Sequence, residues 1–265
     1  MALYNMRSFV LALGIAGAAG ACDVGSTPAT NNPDAPIVAE VDAPIVDTPK
    51  VSISVNKATL ETEQLATEPL IATITGAGGF NGAVTLTATV VNAATDAPVV
   101  GATASAVPAS VTLTANGTAM STITVKLPNN APAATKVKIA ATSSAPAAEA
   151  VSAFTVLNQV TLLVKNDGGG ACTYAGVPNV EIRSGTMMRF KAADQINNLV
   201  IHSNGAGQGV PHQQQNGDNT PDLQQGQVYQ KMSGPGVGDF DWYCHTPGPN
   251  LNAANPRIRV VAPTP

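Results

Sequence analysis

The chain has 265 residues, of which 11% are charged and 4% aromatic, with 24 Gly and 20 Pro. This length fits about two domains of ordinary size. The formal net charge of −4 and the lack of a basic stretch in the sequence give no reason to expect nucleic acid as a partner. Low charge with abundant Thr, Val and Ala is typical of β-rich proteins outside the cytoplasm.

Residues 1–22 have the pattern of an export signal. Arg7 supplies the positive charge, "FVLALGIAGAA" is an apolar segment too short to span a bilayer, and "AGAC" places small residues before Cys22. The segment resembles a bacterial lipoprotein signal, although Ala19 stands where that family prefers Leu. This resemblance implies that Cys22 is lipidated and anchors the chain to a membrane of the cell envelope, in the periplasm or on the outer surface. Ordinary cleavage after Ala19-Gly20-Ala21 is the alternative.

Residues 23–50 are predicted to be a linker. The segment is rich in Pro, Asp, Ala and Asn, and it repeats "DAPIV" at residues 34–38 and 42–46. Proline removes a backbone donor and favours extended chain, which suits a tether. A binding motif in the repeat is the alternative.

Residues 51–157 carry apolar residues at every second position in several short segments. They are separated by the turn-forming stretches "GAGGFNG", "ATDAP", "ANGT" and "PNNAPA". This pattern predicts an antiparallel β-sandwich. The phrases "GGFNGAVTLTA" and "VPASVTLTANGTAMSTITV" resemble a bacterial immunoglobulin-like module. The resemblance implies a spacer, with ligand recognition as the alternative, and this span contains neither Cys nor His.

Residues 158–265 hold all three histidines and two of the three cysteines. Strands are predicted at 160–166, 180–194 (two strands joined at Ser184-Gly185), 198–203, 227–232, 239–244 and 257–261, with a Gly-rich loop "NDGGGACTYAGVPN" after the first. Seven strands in about a hundred residues suit a Greek-key sandwich, which makes the whole chain all-β with two antiparallel β-sandwiches.

The phrases "VEIRSGTMMRFKAADQINNLVIHS" and "GQVYQKMSGPGVGDFDWYCHTPG", with a closing "RIRVV", resemble a cupredoxin, the blue-copper fold of plastocyanin and azurin. The resemblance implies copper binding, with one-electron transfer to a redox protein partner. Cys244 would be the thiolate ligand, His202 and His245 the imidazole ligands, and His212 a reserve ligand. Two imidazoles and a thiolate, with a weak axial group, are what such a site requires.

The sequence departs from that family around Cys244. The adjacent His245 is the only histidine after the cysteine, and no Met follows it, since the last one is Met232. Asn198 and Leu199 stand where the first histidine ligand is usual. A copper site here would therefore be atypical, without an axial residue that can be named.

A disulfide competes with copper for the same sulfur. If Cys22 is lipidated, Cys172 and Cys244 are the remaining pair, and an exported protein usually oxidises such a pair. The resemblance implies that the loops carrying these two cysteines share one pole of the sandwich. The alternative function is therefore a metal-free surface structural or interaction protein with a Cys172–Cys244 disulfide.

Other chemistry has little support in the sequence. The motifs H-E-x-x-H, G-x-S-x-G and a complete phosphate loop are missing, so we expect a binding or electron-transfer protein rather than an enzyme. Asp218 and Asp222 lie with Asn216 and Asn219 in a polar segment. We interpret this segment as a solvated turn, with calcium binding as the alternative.

Overall fold

The computed structural model describes residues 47–166, 172–174, 179–193, 198–203, 209–214, 218–245 and 257–262. The predicted signal peptide, Cys22 and linker residues 23–46 lie outside these ranges. The described residues form strands, turns and connecting segments without a helix, which confirms the all-β prediction. Within these ranges, no helix has the length and apolarity that crossing a membrane requires.

The first sandwich is built from two sheets with the strand orders β1-β3-β7-β5 and β2-β9-β8-β4-β6. Its strands are β1 (Lys50–Val55), β2 (Thr59–Glu63), β3 (Thr67–Ala77), β4 (Gly82–Asn92), β5 (Thr103–Val107), β6 (Ser110–Leu113), β7 (Thr118–Lys126), β8 (Ala134–Thr142) and β9 (Ala148–Leu157).

The core of this sandwich follows from the two-residue alternation of its strands. Alternate residues of a strand point to opposite faces, so Leu70 and Ile74 of β3 face inward together with Ile123 of β7. From the other sheet, Val137 and Ile139 of β8 meet them. All five side chains are buried, which explains why the hydrophobic alternation predicted these strands.

The predicted turns join these strands and contain residues with positive φ. Asp96 in "ATDAP" and Asn116 in "ANGT" have φ of 58° and 56°. These residue types tolerate the left-handed region better than most. Gly78 in "GAGGFNG" has φ +61°, and a Cβ there would clash with the backbone of Thr48. This position requires glycine for both reasons.

Two strands of the first sandwich were not predicted, and both lie where the chain changes sheet. The chain leaves β1 in one sheet and enters β2 in the other, and it does the same between β5 and β6 across Pro108. β2 runs parallel to β9, pairing Thr59 with Ala153. The sandwich is therefore mostly antiparallel with one parallel pair.

The second sandwich has sheets with the orders β11-β10-β13-β15 and β12-β17-β16-β14. Its strands are β10 (Gln159–Asn166), β11 (Cys172–Tyr174), β12 (Asn179–Arg183), β13 (Met187–Ala192), β14 (Val200–Ser203), β15 (Val228–Met232), β16 (Gly238–His245) and β17 (Arg257–Val261). The predicted Gly-rich loop thus contains the short strand β11, which pairs with β10.

The turn at Ser184-Gly185 carries the chain between sheets, because β12 and β13 belong to different ones. Gly185 has φ +84°, a conformation that glycine adopts without a steric penalty. After this turn the chain enters the sheet that contains β10, where β13 runs parallel to β10. In the other sheet of this sandwich, β12 runs parallel to β17. These two parallel pairs differ from the antiparallel arrangement that the sequence predicts.

Aromatic side chains fill the second core. The rings of Phe190 and Trp242 meet edge to face with centroids 5.0 Å apart, and Tyr229 stacks beside Phe190 at 6.3 Å. Trp242 is fully buried. Such pairs contribute about 0.5–1.5 kcal/mol beyond the burial of their area.

Glu63, the last residue of β2, joins the first sandwich to the second. Its carboxylate accepts hydrogen bonds from Gln159 Nε2 at 2.5 Å and from both the backbone N and Oγ1 of Thr161 at 2.9 Å. Arg189 on β13 forms an ion pair with it at 3.1 Å. One carboxylate thereby holds the two strands β10 and β13 against β2.

Replacing Glu63 should weaken this junction. In Glu63→Ala the donors of Thr161 and Arg189 lose an acceptor, and we expect the free energy of unfolding to fall by about 2 kcal/mol. Urea denaturation followed by Trp242 fluorescence measures the change. Glu61→Ala is the matched control, because Glu61 is exposed two residues earlier on the same strand, and it should change stability by less than about 0.5 kcal/mol. Equal losses in the two variants would contradict the role of Glu63.

Candidate metal centre

The predicted ligands of a copper site lie around the neighbouring strands β14 and β16. These strands pair antiparallel, with Ile201 opposite Cys244 and His202 opposite Tyr243. Residues directly opposite each other share a face of the sheet, and the next residues share the other face. The register therefore decides which of the predicted ligands can meet.

Cys244 faces the hydrophobic core. It lies in the same buried cluster as Ile201, its neighbour across the strands, and as Trp242, two residues before it on β16. Its relative exposure is 5%. It is also disulfide-bonded, so its sulfur is not a thiolate and cannot bind copper in this oxidised state.

His202 follows Ile201 on β14 and therefore lies on the face opposite to Cys244. The structure does not bring these two predicted ligands together. His245 is opposite Val200 in the backbone register, and its side chain lies outside the described part of the chain. The assignment of all four ligands to one copper ion stays a prediction.

Among the histidine side chains that the structure describes, His202 and His212 meet. His202 Nδ1 and His212 Nε2 are 2.5 Å apart, and the two rings are nearly perpendicular. His212 Nδ1 lies 3.2 Å from the N and 3.0 Å from the O of Ser203. A neutral imidazole has one donor and one acceptor. His212 therefore either accepts from Ser203 and donates to His202, or donates to Ser203 and accepts from His202.

Two imidazoles alone do not make the predicted copper site. Among the described residues, no three His, Cys, Asp or Glu side chains form a group that could hold a metal ion. The nitrogens of His202 and His212 that face each other lie within hydrogen-bonding distance, so in the structure this pair forms a hydrogen bond.

The segment that carries His212 covers the outer edge of β14, which is the last strand of its sheet. Gln213 donates its backbone N–H to the carbonyl of Ile201 at 2.8 Å, and its Oε1 accepts the N–H of Ile201 at 3.0 Å. Its Nε2 donates to the carbonyl of Pro221 at 2.7 Å. Gln213 is fully buried, so its side chain replaces a missing neighbouring strand.

Asp218 anchors the next part of this region, and its side chain is buried although Asn219 beside it is exposed, as a solvated turn predicts. Its side chain is 6% exposed. One carboxylate oxygen accepts hydrogen bonds from the backbone N–H and the hydroxyl of Thr220. The other oxygen accepts hydrogen bonds from Tyr229 Oη at 2.7 Å and from Lys231 Nζ at 2.9 Å. These bonds hold the loop against β15 and leave the carboxylate occupied by protein donors.

The electrostatics of Asp218 follow from these contacts. Burial alone would raise the pKa of Asp218, but the hydrogen bonds from Lys231, Thr220 and Tyr229 outweigh it and hold this pKa well below 3.8. Burial and the bond to Asp218 together raise the pKa of the Tyr229 hydroxyl. The carboxylate is charged and the phenol neutral under all ordinary conditions.

A cleft of ≈ 420 Å³ lies where β2 and the turn after it approach β10. Its lining includes Glu61, Glu63 and Glu68 beside the apolar Val160 and Val180. Glu63 is occupied by the junction described above, and Glu68 accepts the hydroxyl of Thr62 at 2.6 Å. Two of the three carboxylates in this cleft are therefore already used within the fold.

Sequence reasoning did not identify Gln213 and Asp218 as structural residues. In "HQQQNGD" nothing distinguishes Gln213 from the two glutamines after it. The contacts of Asp218 with Tyr229 and Lys231 could not be predicted from the sequence, because they form only when the loop folds over β15. The roles of Gln213 and Asp218 both depend on how the chain folds and leave no pattern in the local sequence.

Asp218 makes acid sensitivity testable. Its folded-state pKa lies below the unfolded value, so its stabilisation is complete above about pH 5 and is lost as pH falls further. We expect Asp218→Asn to unfold more easily by about 1–3 kcal/mol at pH 7, and this difference should shrink below about pH 4. Thermal melts from pH 7 to pH 2.5 measure it. Asp222→Asn is the control in the same loop and should cost less at pH 7. A difference from wild type that is constant over this range would refute the assignment.

Gln213 gives a second test. Gln213→Ala leaves the N–H of Ile201 and the carbonyl of Pro221 without their partner, and we expect a loss of about 2–4 kcal/mol in unfolding free energy. Hydrogen exchange at the Ile201 amide should become faster. Gln230→Ala, at an exposed position of β15, should leave both quantities nearly unchanged. An unchanged Ile201 exchange rate in Gln213→Ala would show that the side chain does not protect the edge.

Comparisons with known proteins leave the family open. No family model matches the chain, and no curated protein matches it. Solved structures that resemble it include domains 4 and 5 of the S-layer protein SbsC (17% identity, 41% of this chain, 46% of that one, TM-score 0.28). Another is a family 123 glycoside hydrolase from Clostridium perfringens (13% identity, 51% of this chain, 30% of that one, TM-score 0.34). A third is a chimeric titin Z1Z2 (12% identity, 83% of this chain, 99% of that one, TM-score 0.24). The chain spans less than half of the first two structures, and TM-scores this low carry no argument about function.

Proposed function

We propose that the chain is a structural or interaction protein of the bacterial cell envelope, with a second sandwich stapled by a disulfide between Cys172 and Cys244. The observation that carries this proposal is Cys244 itself, which is buried in the core and disulfide-bonded. A sulfur in that state holds strands together and has no thiolate to offer a metal.

Two facts favour Cys172 as the partner. The chain has three cysteines, and Cys22 is the one expected to carry a lipid. The backbone of β11, which begins at Cys172, also lies in contact with β16, which carries Cys244. A bridge between them would close a loop of 71 intervening residues. Closing a loop of this length stabilises a fold by about 2–4 kcal/mol.

The first sandwich would act as the spacer in this proposal. Its residues 51–157 contain no Cys or His, and its polar contacts serve turns, strand ends and the Glu63 junction. The linker and the anchor at Cys22 would then place the two sandwiches away from the membrane. The export signal and the lipid anchor lie outside the described residues and stay part of the proposal.

The strand arrangement supports a cupredoxin-like fold for the second sandwich without requiring copper. The turn between β12 and β13 precedes the histidine-bearing strand β14, and the aromatic strand β16 delivers Cys244 beside it. These are the features on which the sequence resemblance depends. Copper bound by Cys244, His202, His245 and His212, with electron transfer, is the competing function and needs a reduced Cys244.

Thiol counting with copper addition separates the two functions. In the unreduced, denatured protein we expect no free thiol from Cys172 or Cys244, and no intense visible absorption on adding Cu(II) to the native protein. Cys172→Ser should release one thiol at Cys244 and lower the unfolding free energy by about 2–4 kcal/mol. Cys22→Ser is the control and should change neither the pair nor stability. An intense thiolate-to-copper band in the wild type would replace this proposal with the copper function.

A further inference from the structure

One face of the first sandwich is almost uncharged. It consists of the outward-facing residues of the sheet β1-β3-β7-β5, and we call it the neutral face. Ten of its positions are Ser or Thr, five are apolar and two are Lys. In order along the strands they are Lys50, Ser52, Ser54, Thr67, Pro69, Ile71, Thr73, Thr75, Ala77, Thr103, Ser105, Val107, Thr118, Met120, Thr122, Thr124 and Lys126.

The centre of the neutral face is an exposed apolar patch around Thr122. Ile71 and Val107 are the neighbours of Thr122 on the two adjoining strands, with relative exposures of 41% and 67%. Met120 precedes it by one outward position on β7 and is 63% exposed. Large apolar side chains that cluster on a surface mark interaction sites more often than scattered ones do.

The opposite outer face of the same sandwich is charged although it too carries exposed threonines, so a high threonine content alone does not make a face neutral. That face also carries exposed threonines, including Thr85 and Thr87 of β4. It differs by its charges, since Lys136 and Lys138 of β8 bind Asp96 at 2.6 and 3.1 Å. Glu61 and Glu149 are exposed on it as well. All outward positions of the neutral face are described, and none is Asp or Glu.

We propose that the neutral face binds a second copy of this chain, face to face. The opposite outer face carries Glu61 and Glu149, so a contact between two copies through that face would bring like charges together. Contact through the neutral face avoids that repulsion, and the centres of protein interfaces are depleted of charged residues in the same way. Hydroxyls and methyl groups of one sheet can lie against those of the other at the usual sheet spacing of about 10 Å.

The size of the face sets the strength of the contact. The four strands have 6, 11, 9 and 5 residues, so they extend about 26 Å on average and are together about 19 Å wide. The resulting area of about 500 Å² per copy is below the roughly 800 Å² of a standard interface. The dimer should therefore be weak and depend on protein concentration.

Sedimentation of the purified full chain tests this proposal. From about 1 μM to about 1 mM protein, the mass should rise toward that of a dimer. Thr122→Glu places a carboxylate at the centre of the neutral face, and we expect it to raise the dimer dissociation constant by about tenfold or more. Thr87→Glu is the matched control, because it makes the same exposed change on the charged face, and it should dimerise like wild type.

A chain that stays monomeric over this range would overturn the inference, as would equal dimerisation of Thr122→Glu and the wild type. Circular dichroism and thermal melts establish that both variants fold, which separates lost contact from lost structure. The inference rests on the proposed interaction function, but different results would refute the dimer and the proposed function. Copper binding with free thiols refutes the proposed function, whereas a disulfide-bonded monomer refutes only the dimer.

Discussion

The pairing register of β14 with β16 determines the chemistry open to the second sandwich. Because Ile201 lies opposite Cys244, the cysteine faces the core and His202 faces away from it. A shift of one residue would exchange the two faces and expose apolar side chains that are now buried. The burial of Trp242 beside Phe190 resists such a shift. Core packing thereby fixes the position of a sulfur that could otherwise have served a metal.

Polar side chains in this protein mainly complete the hydrogen bonding of strand ends and edges. Gln213 supplies the partners that β14 lacks on its outer side, Asp218 ties a loop to β15, and Glu63 joins β2 to β10 and β13. Each is buried or half-buried and each binds several donors or acceptors. Buried polar groups cost free energy unless they are paired, and these pairs satisfy that requirement.

Hydrophobic alternation predicted most strands because the apolar face of each one packs on a core. It missed β2, whose "TLETE" is mostly polar, and β5, whose "TASAV" has small side chains, since both depend on neighbouring strands rather than on their own burial. The candidate site was less predictable. The resemblance to cupredoxins assigned Cys244 and His202 to one site, but only the register shows that they occupy opposite faces. The pairing of His202 with His212 requires a loop to fold back, which residue patterns do not encode.

The parallel pairing of β2 with β9 has a mechanical consequence. The chain enters the first sandwich through β1, continues into β2 at Thr59 and leaves after β9, and β2 and β9 run side by side in the same direction. Once β1 has been pulled from β3, tension applied to the two ends of this sandwich pulls β2 and β9 in opposite directions along their common axis. Their backbone hydrogen bonds are loaded in shear and must rupture together, whereas strands peeled from one end would release them one at a time. A sandwich with this geometry resists the sliding of β2 past β9.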